Sequence, residues 1–169
     1  MIITIRRAID TDAAIIADQS AAMAREIEDI ELDRGRLLAG TQAVLNDAGK
    51  GFYVIAEHEG RVAGQLMITF EWSDWRNGVF WWIQSVYVES ESRGQGVYTA
   101  LHRWVREQAE GAGDVCGIRL YVDKSNHNAQ RTYRRLGMTP AVYDMYETDF
   151  VLERPGEPGT GNPEIENRG

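Results

Sequence analysis

Residues Trp81-Trp82-Ile83-Gln84-Ser85-Val86-Tyr87-Val88, followed by Arg93-Gly94-Gln95-Gly96 and then by Val97-Tyr98-Thr99-Ala100-Leu101, decide how this chain is read. The first run is aromatic and β-branched, the composition of a buried strand. The four residues from Arg93 to Gly96 form a glycine-rich turn. Val97, Ala100, Leu101, Trp104 and Val105 then recur at i, i+3, i+4, i+7 and i+8, one face of a helix running to about Glu110. A strand, a glycine turn and a helix in that order expose backbone N–H groups at a helix N-terminus, where an anion can be held.

Outward from this stretch, the chain reads as one domain over residues 1–152 and a tail over 153–169. Its 169 residues suffice for a single core. Upstream, strands are expected over 2–8, Phe52–Ala56 and Val62–Glu71, with helices over Ala13–Ile27 and Arg36–Ala48. Asn77-Gly78 predicts a tight hairpin into the central strand. Downstream, a strand over Ile118–Val122, a helix over Asn126–Leu136 closed by Gly137, and a last strand over Val142–Leu152 complete the pattern. From Glu153 onward three of the chain's four prolines and several glycines leave no apolar face, so a flexible tail is expected. This order predicts a mixed α/β sheet, mostly antiparallel, with hairpins early and βα crossovers late.

Composition narrows the function classes. Hydrophobic residues make up 43% and charged residues 26%, ordinary for a globular protein. A net charge of −8 argues against nonspecific nucleic acid or anionic lipid as a partner. No apolar run reaches the ~18 residues of a membrane span, and the N-terminus does not read as a signal peptide. A cytoplasmic protein is expected, with the lone Cys116 buried and unpaired. The three histidines His58, His102 and His127 read as solvated or locally bonded, and no metal-ligand spacing occurs. Glu26, Glu28, Asp29, Glu31 and Asp33 read either as a solvated helix end or as an acidic lip over a site for a cationic amine.

Two blocks carry a resemblance. Arg93-Gly94-Gln95-Gly96-Val97-Tyr98 is similar to the pattern Gln/Arg-x-x-Gly-x-Gly/Ala, matching at its first four positions, and Asn126-x-x-Ala129-x-x-x-Tyr133-x-x-x-Gly137-Met138 is similar to Asn-x-x-Ala-x-x-x-Tyr-x-x-x-Gly-Phe. Both patterns belong to the GNAT superfamily of acyl-CoA-dependent N-acetyltransferases, which residues 2–152 resemble in element order. The resemblance implies a sheet with a splayed pair of strands, acetyl-CoA as cofactor, and an amine-bearing small molecule or peptide as acceptor. It places the cofactor's diphosphate on the N–H groups of Gly94, Gly96, Val97 and Tyr98, with Arg93 and Gln95 in the same turn. The pantetheine then lies along the main chain of Val86, Tyr87 and Val88, and Asn126 and Ala129 contribute from the second block. Tyr133 becomes the proton donor to the departing thiolate, and the N–H of Val86 or Val88 the oxyanion donor.

Two departures stand out. Tyr98 replaces the Gly or Ala of the first pattern, putting a phenol beside the diphosphate: tucked away, bonded to phosphate, or partly blocking. The region from Trp72 to Gln84 resembles polyamine-type members, in which a carboxylate on the fourth strand accepts the amine proton. Gln84 holds that position here and cannot. Either a water chain to Glu71, Asp74 or Glu28 takes the proton, or the amine arrives deprotonated; Glu71, on the strand beside the central one, is the first candidate base. A noncatalytic acyl-CoA-binding sensor or partner domain is the alternative reading, and a nucleotide-binding protein a third. The aromatics Trp72, Trp75, Phe80, Trp81 and Trp82 read as core, acceptor-pocket wall or a homodimer surface.

Overall fold

Five stretches rich in β-branched and aromatic residues pair into one sheet. They are β1 (Ile3–Arg7), β2 (Phe52–His58), β3 (Arg61–Ser73), β4 (Gly78–Val88) and β5 (Val115–Arg119). This computed structural model describes residues 2–152. Strand order across the sheet equals chain order. The first four strands are antiparallel, and β5 runs parallel to β4. Tight turns make the antiparallel joins: Glu59 and Gly60 take positive φ between β2 and β3, and Asn77 does so before β4. The parallel join needs a crossover, which a helix supplies.

Among the described residues four α-helices flank the sheet: α1 (Ala13–Glu28), α2 (Arg34–Leu45), α3 (Val97–Gly111) and α4 (His127–Arg135). Alternation along the strands sends successive side chains to opposite faces. On one face Val54, Ala56, Leu66, Ile68, Trp81 and Ile83 meet Val97, Leu101, Val105 and Ala109 of α3. On the other, Tyr53 and Ile55 meet Ile16 of α1 and, less buried, Val44 and Leu45 of α2. Each fully buried Val, Leu or Ile contributes ~1.5–3 kcal/mol, so α3 is fixed by its apolar stripe more than by helix propensity. A partly buried charge cluster ties β1 to β2 and to the start of α1. Arg6 donates to Asp12 at 2.7 and 2.9 Å and to Glu57 at 2.7 and 2.9 Å.

The expected elements form apart from the last strand, and two of them shift. The strand expected at Ile118–Val122 lies at Val115–Arg119, because its pairing with β4 begins at Val79 opposite Val115 and ends at Trp82 opposite Arg119. Helix α2 starts at Arg34, since the Asp33 carboxylate accepts from the Arg36 N–H (2.7 Å) and caps it. The last strand, expected over Val142–Leu152, does not form.

The chain divides into two units, residues 1–138 and 139–169. In the second unit, residues 139–152 carry no regular element. Alternation there has no partner strand to pair with, and the Asp149 side chain takes the N–H groups of Val151 (2.7 Å) and Leu152 (2.8 Å) into a local turn. The tail expected over 153–169 lies outside the described residues.

Candidate active site

The sheet opens where the sequence expects a splayed pair. Trp82 is the last residue of β4 with a partner on β5, so Ile83 to Val88 are unpaired on that side. On the β3 side the register slips: Met67 faces Gln84 and Gln65 faces Tyr87, leaving Ser85 and Val86 without ladder partners. Ser85 takes a φ of +49°, the left-handed conformation of a β-bulge residue. The bulge reverses the alternation beyond it. Trp81 and Ile83 pack toward α3, and so do Val86 and Val88, while Tyr87 points to the opposite face and its hydroxyl donates to Glu26 Oε1 of α1 (2.9 Å).

Beyond β4, Gly94 and Gly96 adopt φ of +74° and +86°, which only glycine takes without strain. A Cβ built on either would meet nothing within 4 Å, so both border open space. Gly96 caps α3 without any side-chain hydrogen bond. The first N–H groups of the helix therefore have no intrahelical partner and carry the positive end of its dipole. Arg93 is braced there: its Nε donates to the Val88 carbonyl (2.9 Å) and its Nη2 pairs with Glu26 (2.6 Å). The Arg93 guanidinium, and then the Tyr87 hydroxyl, hold the Glu26 carboxyl below the usual carboxylate range. Gln95 donates to the Glu91 carbonyl (2.6 Å), and the Val97 side chain is buried in the core.

Tyr98 is tucked inward. Its ring meets Tyr133 edge-on at 5.5 Å between centroids and His102 at 6.0 Å, and its hydroxyl is buried without a partner among the described residues. The sequence left three readings open for this phenol; here the ring lies tucked against Tyr133 and His102. Burial pushes the Tyr98 and Tyr133 hydroxyls above the ordinary phenol range, so both are protonated at neutral pH. Tyr133 itself is fixed by its helix. Asn126 Oδ1 accepts from the Ala129 N–H (3.0 Å), capping α4 and setting the register of the residue two turns on.

Other expectations are corrected. Glu71 lies away from this constellation. It faces Phe80, four residues along β3 from the partner of Gln84, or ~13 Å, and ~20 Å from Val86. Its carboxylate accepts from the Trp82 indole and from Arg119 (2.8 Å), and these contacts, Trp82 foremost, hold its pKa down. A carboxylate so placed and so stabilised in its charged form is a poor proton acceptor. Gln84 donates from Nε2 to the Thr69 hydroxyl. His102, expected solvated or locally bonded, is 3% exposed, and its Nε2 has no partner among the described residues. Burial, then the Arg106 charge, lowers its pKa. Cys116 is half-buried rather than buried.

The acidic cluster is largely occupied by structure: Glu26 on Arg93, Glu31 near Arg25 (3.6 Å), and Asp33 on the cap of α2. Of the aromatics, Phe80 and Trp81 are buried, whereas Trp72 and Trp75 are exposed. Gln65 and the bulge it faces escaped the sequence reading. The available signal was an amide in the middle of the apolar run Ala63-Gly64-Gln65-Leu66-Met67-Ile68.

Comparison with known proteins agrees with this geometry. Residues 16–138 match the acetyltransferase (GNAT) family. An uncharacterized N-acetyltransferase of Methanocaldococcus jannaschii is 34% identical over 119 residues, 68% of this chain and 71% of that protein. The crystal structure of a possible acetyltransferase from Clostridium difficile 630 superposes with a TM-score of 0.82 at 41% identity, over 90% of this chain and 100% of the other. A predicted acetyltransferase from Clostridium acetobutylicum, solved with acetyl-CoA, shares the fold at a TM-score of 0.71 and 19% identity, over 87% and 96% of the two chains. An open strand edge, a glycine turn leading into a helix without a side-chain cap and a half-buried tyrosine pair beside it thus coincide with family-wide similarity, and the chain belongs to the GNAT family of acetyltransferases.

Proposed function

We propose that this chain moves the acetyl group of acetyl-CoA to a primary amine, of a small molecule or a peptide, by direct attack of the amine. The observation that carries this reading is the contact of Tyr133 with Tyr98, which puts a protonated phenol next to the glycine turn. Acetyl-CoA supplies an activated acetyl thioester. The open space over Gly94 and Gly96 and the free N–H groups of the α3 N-terminus fit its diphosphate. The unpaired edge at Val86, Tyr87 and Val88 fits an added strand-like pantetheine. Arg93 and Gln95 shape the turn through Val88 and Glu91, while Asn126 and Ala129 orient Tyr133.

In the proposed reaction a carbon–nitrogen bond forms and the carbon–sulfur bond breaks. The Val86 N–H stabilises the developing oxyanion, and Tyr133 gives its proton to the departing sulfur. The proton lost by the amine passes to solvent. No carboxylate is assigned to it, since Glu71 sits too far away and Gln84 cannot accept it.

Tyr133→Phe tests the reading. Thiol release against a panel of amines is expected to fall ~10²-fold or more in kcat, with acetyl-CoA affinity changed little. A rate equal to wild type removes Tyr133 from the chemistry. Tight cofactor binding with no turnover on any amine would instead favour a noncatalytic acyl-CoA-binding domain, the reading that the absent carboxylate at Gln84 motivates.

A further inference from the structure

Gln65 sits in the middle of β3 with 0% of its surface exposed, inside an otherwise apolar run. Burying an amide is unfavourable unless it is hydrogen-bonded. Its Nε2 donates to the carbonyl oxygen of Ser85 at 2.9 Å, while its Oε1 has no protein partner among the described residues. Ser85 is the bulged residue of β4, with a φ of +49°, and its carbonyl lies where the β3–β4 ladder is interrupted. The side chain of Gln65 thus supplies the donor that β3 main chain would otherwise have provided.

The consequence is directional. Ser85 C=O and Val86 N–H belong to one planar, trans peptide unit, so they point in opposite directions. Holding the carbonyl toward β3 aims the N–H away from it. On that side β4 has no partner, because its pairing with β5 stops at Trp82.

We infer that Gln65 is a positioning residue for acyl transfer: by holding the Ser85 carbonyl toward β3, it aims the Val86 N–H into the opening between β4 and β5 to meet the acetyl carbonyl oxygen. This rests on the acetyl-transfer reading proposed above. Gln65 does not touch the substrate. It acts through one peptide plane, and without it the left-handed, non-glycine residue Ser85 loses the hydrogen bond that its carbonyl accepts from Gln65.

Gln65→Leu keeps the volume and removes the donor. Its kcat is expected to fall on the order of 10–100-fold, part of what the loss of an oxyanion donor costs, with the KM for acetyl-CoA changed less than about threefold, since the diphosphate turn is untouched. A kcat within twofold of wild type overturns the inference, as does a loss confined to KM. Amide NMR gives a second reading that needs no turnover. In the wild-type protein the Val86 N–H resonance is expected to shift when acetyl-CoA is added, and in Gln65→Leu that response is expected to be lost. An unmoved Val86 resonance in wild type sinks the inference even if Gln65→Leu fails to fold. Should wild type release no thiol with any amine, the acetyl-transfer reading fails by itself, while the Val86 response still decides whether Gln65 aims that N–H.

Discussion

Tyr98 shows how one side chain settles a question its motif raises. A backbone N–H is present at this position whatever the side chain is, so a tyrosine is compatible with the proposed anion site if its ring finds room elsewhere. It does, against Tyr133 and His102 on the inner side of α3. The cost is a buried hydroxyl with no partner among the described residues. Tyr98→Phe removes that hydroxyl and keeps the ring. Its stability in denaturant melts is expected to match wild type or exceed it by ~1 kcal/mol, with acetyl-CoA affinity unchanged. Tyr98→Ala deletes the wall against which Tyr133 stands. It is expected to lose ~2–4 kcal/mol, at the low end of aromatic-to-alanine changes because the ring is only partly buried, and to lose kcat along with it. If Tyr98→Phe weakens acetyl-CoA binding tenfold, the phenol is bonded to phosphate after all. Tyr133 was legible in the sequence because its spacing from Asn126 is a property of one helix. The distance from Glu71 to the site was not, because it depends on the pairing register of two strands.

At the scale of elements, the turn and helix were readable where strand geometry was not. The Gly94–Gly96 turn announces itself by composition, and α3 by its period. The bulge in β4 has no such signature: strict alternation from Trp81 would put Ile83, Ser85 and Tyr87 on one face, whereas the fold puts Ile83, Val86 and Val88 there. One inserted residue reverses the parity. Similarly, the apolar alternation of Val142–Leu152 resembled a strand because periodicity reports a half-buried surface and not the existence of a partner. The turn permits a clean test. At Gly96, a methyl group would meet nothing beyond its chain neighbours within 4 Å among the described residues, but would force a φ of +86° on an L-residue. Gly96→Ala is therefore expected to cost ~1–2 kcal/mol of stability. If the diphosphate lies in that open space, its KM for acetyl-CoA is also expected to rise at least ~10-fold, for ~1.4 kcal/mol of lost binding. Equal KM values in steady-state titrations would place the diphosphate elsewhere.

For the chain as a whole, the charge balance and the buried titratable groups predict how it responds to acid. The net charge of −8 shrinks toward zero near the isoelectric point of about 4.9, so self-repulsion weakens on the acid side and association must be avoided by working dilute. Two buried groups act in separate windows. His102 is held neutral by burial and by the nearby Arg106, so its folded pKa lies below the unfolded value of ~6.5. Below that value the unfolded chain binds a proton that the folded chain refuses, and stability falls with pH by at most ~1.4 kcal/mol per pH unit. Asp12 behaves as a partnered carboxylate. The Arg6 guanidinium lowers its folded pKa, so its contribution is complete above the unfolded value of ~3.9 and is lost as pH falls through the folded one. Urea midpoints are therefore expected to decline as pH falls below about 6.5 because of His102, then more steeply below ~4 as Asp12 is protonated. His102→Gln, which cannot titrate, is expected to flatten the first decline and leave the second. Asp12→Asn is expected to do the reverse, at the cost of a lower midpoint at neutral pH because Arg6 loses a charged partner. A wild-type midpoint that stays level from pH 7 to 5 would mean that His102 takes up its proton in the folded state, and hence that the pocket it shares with Tyr98 opens to water.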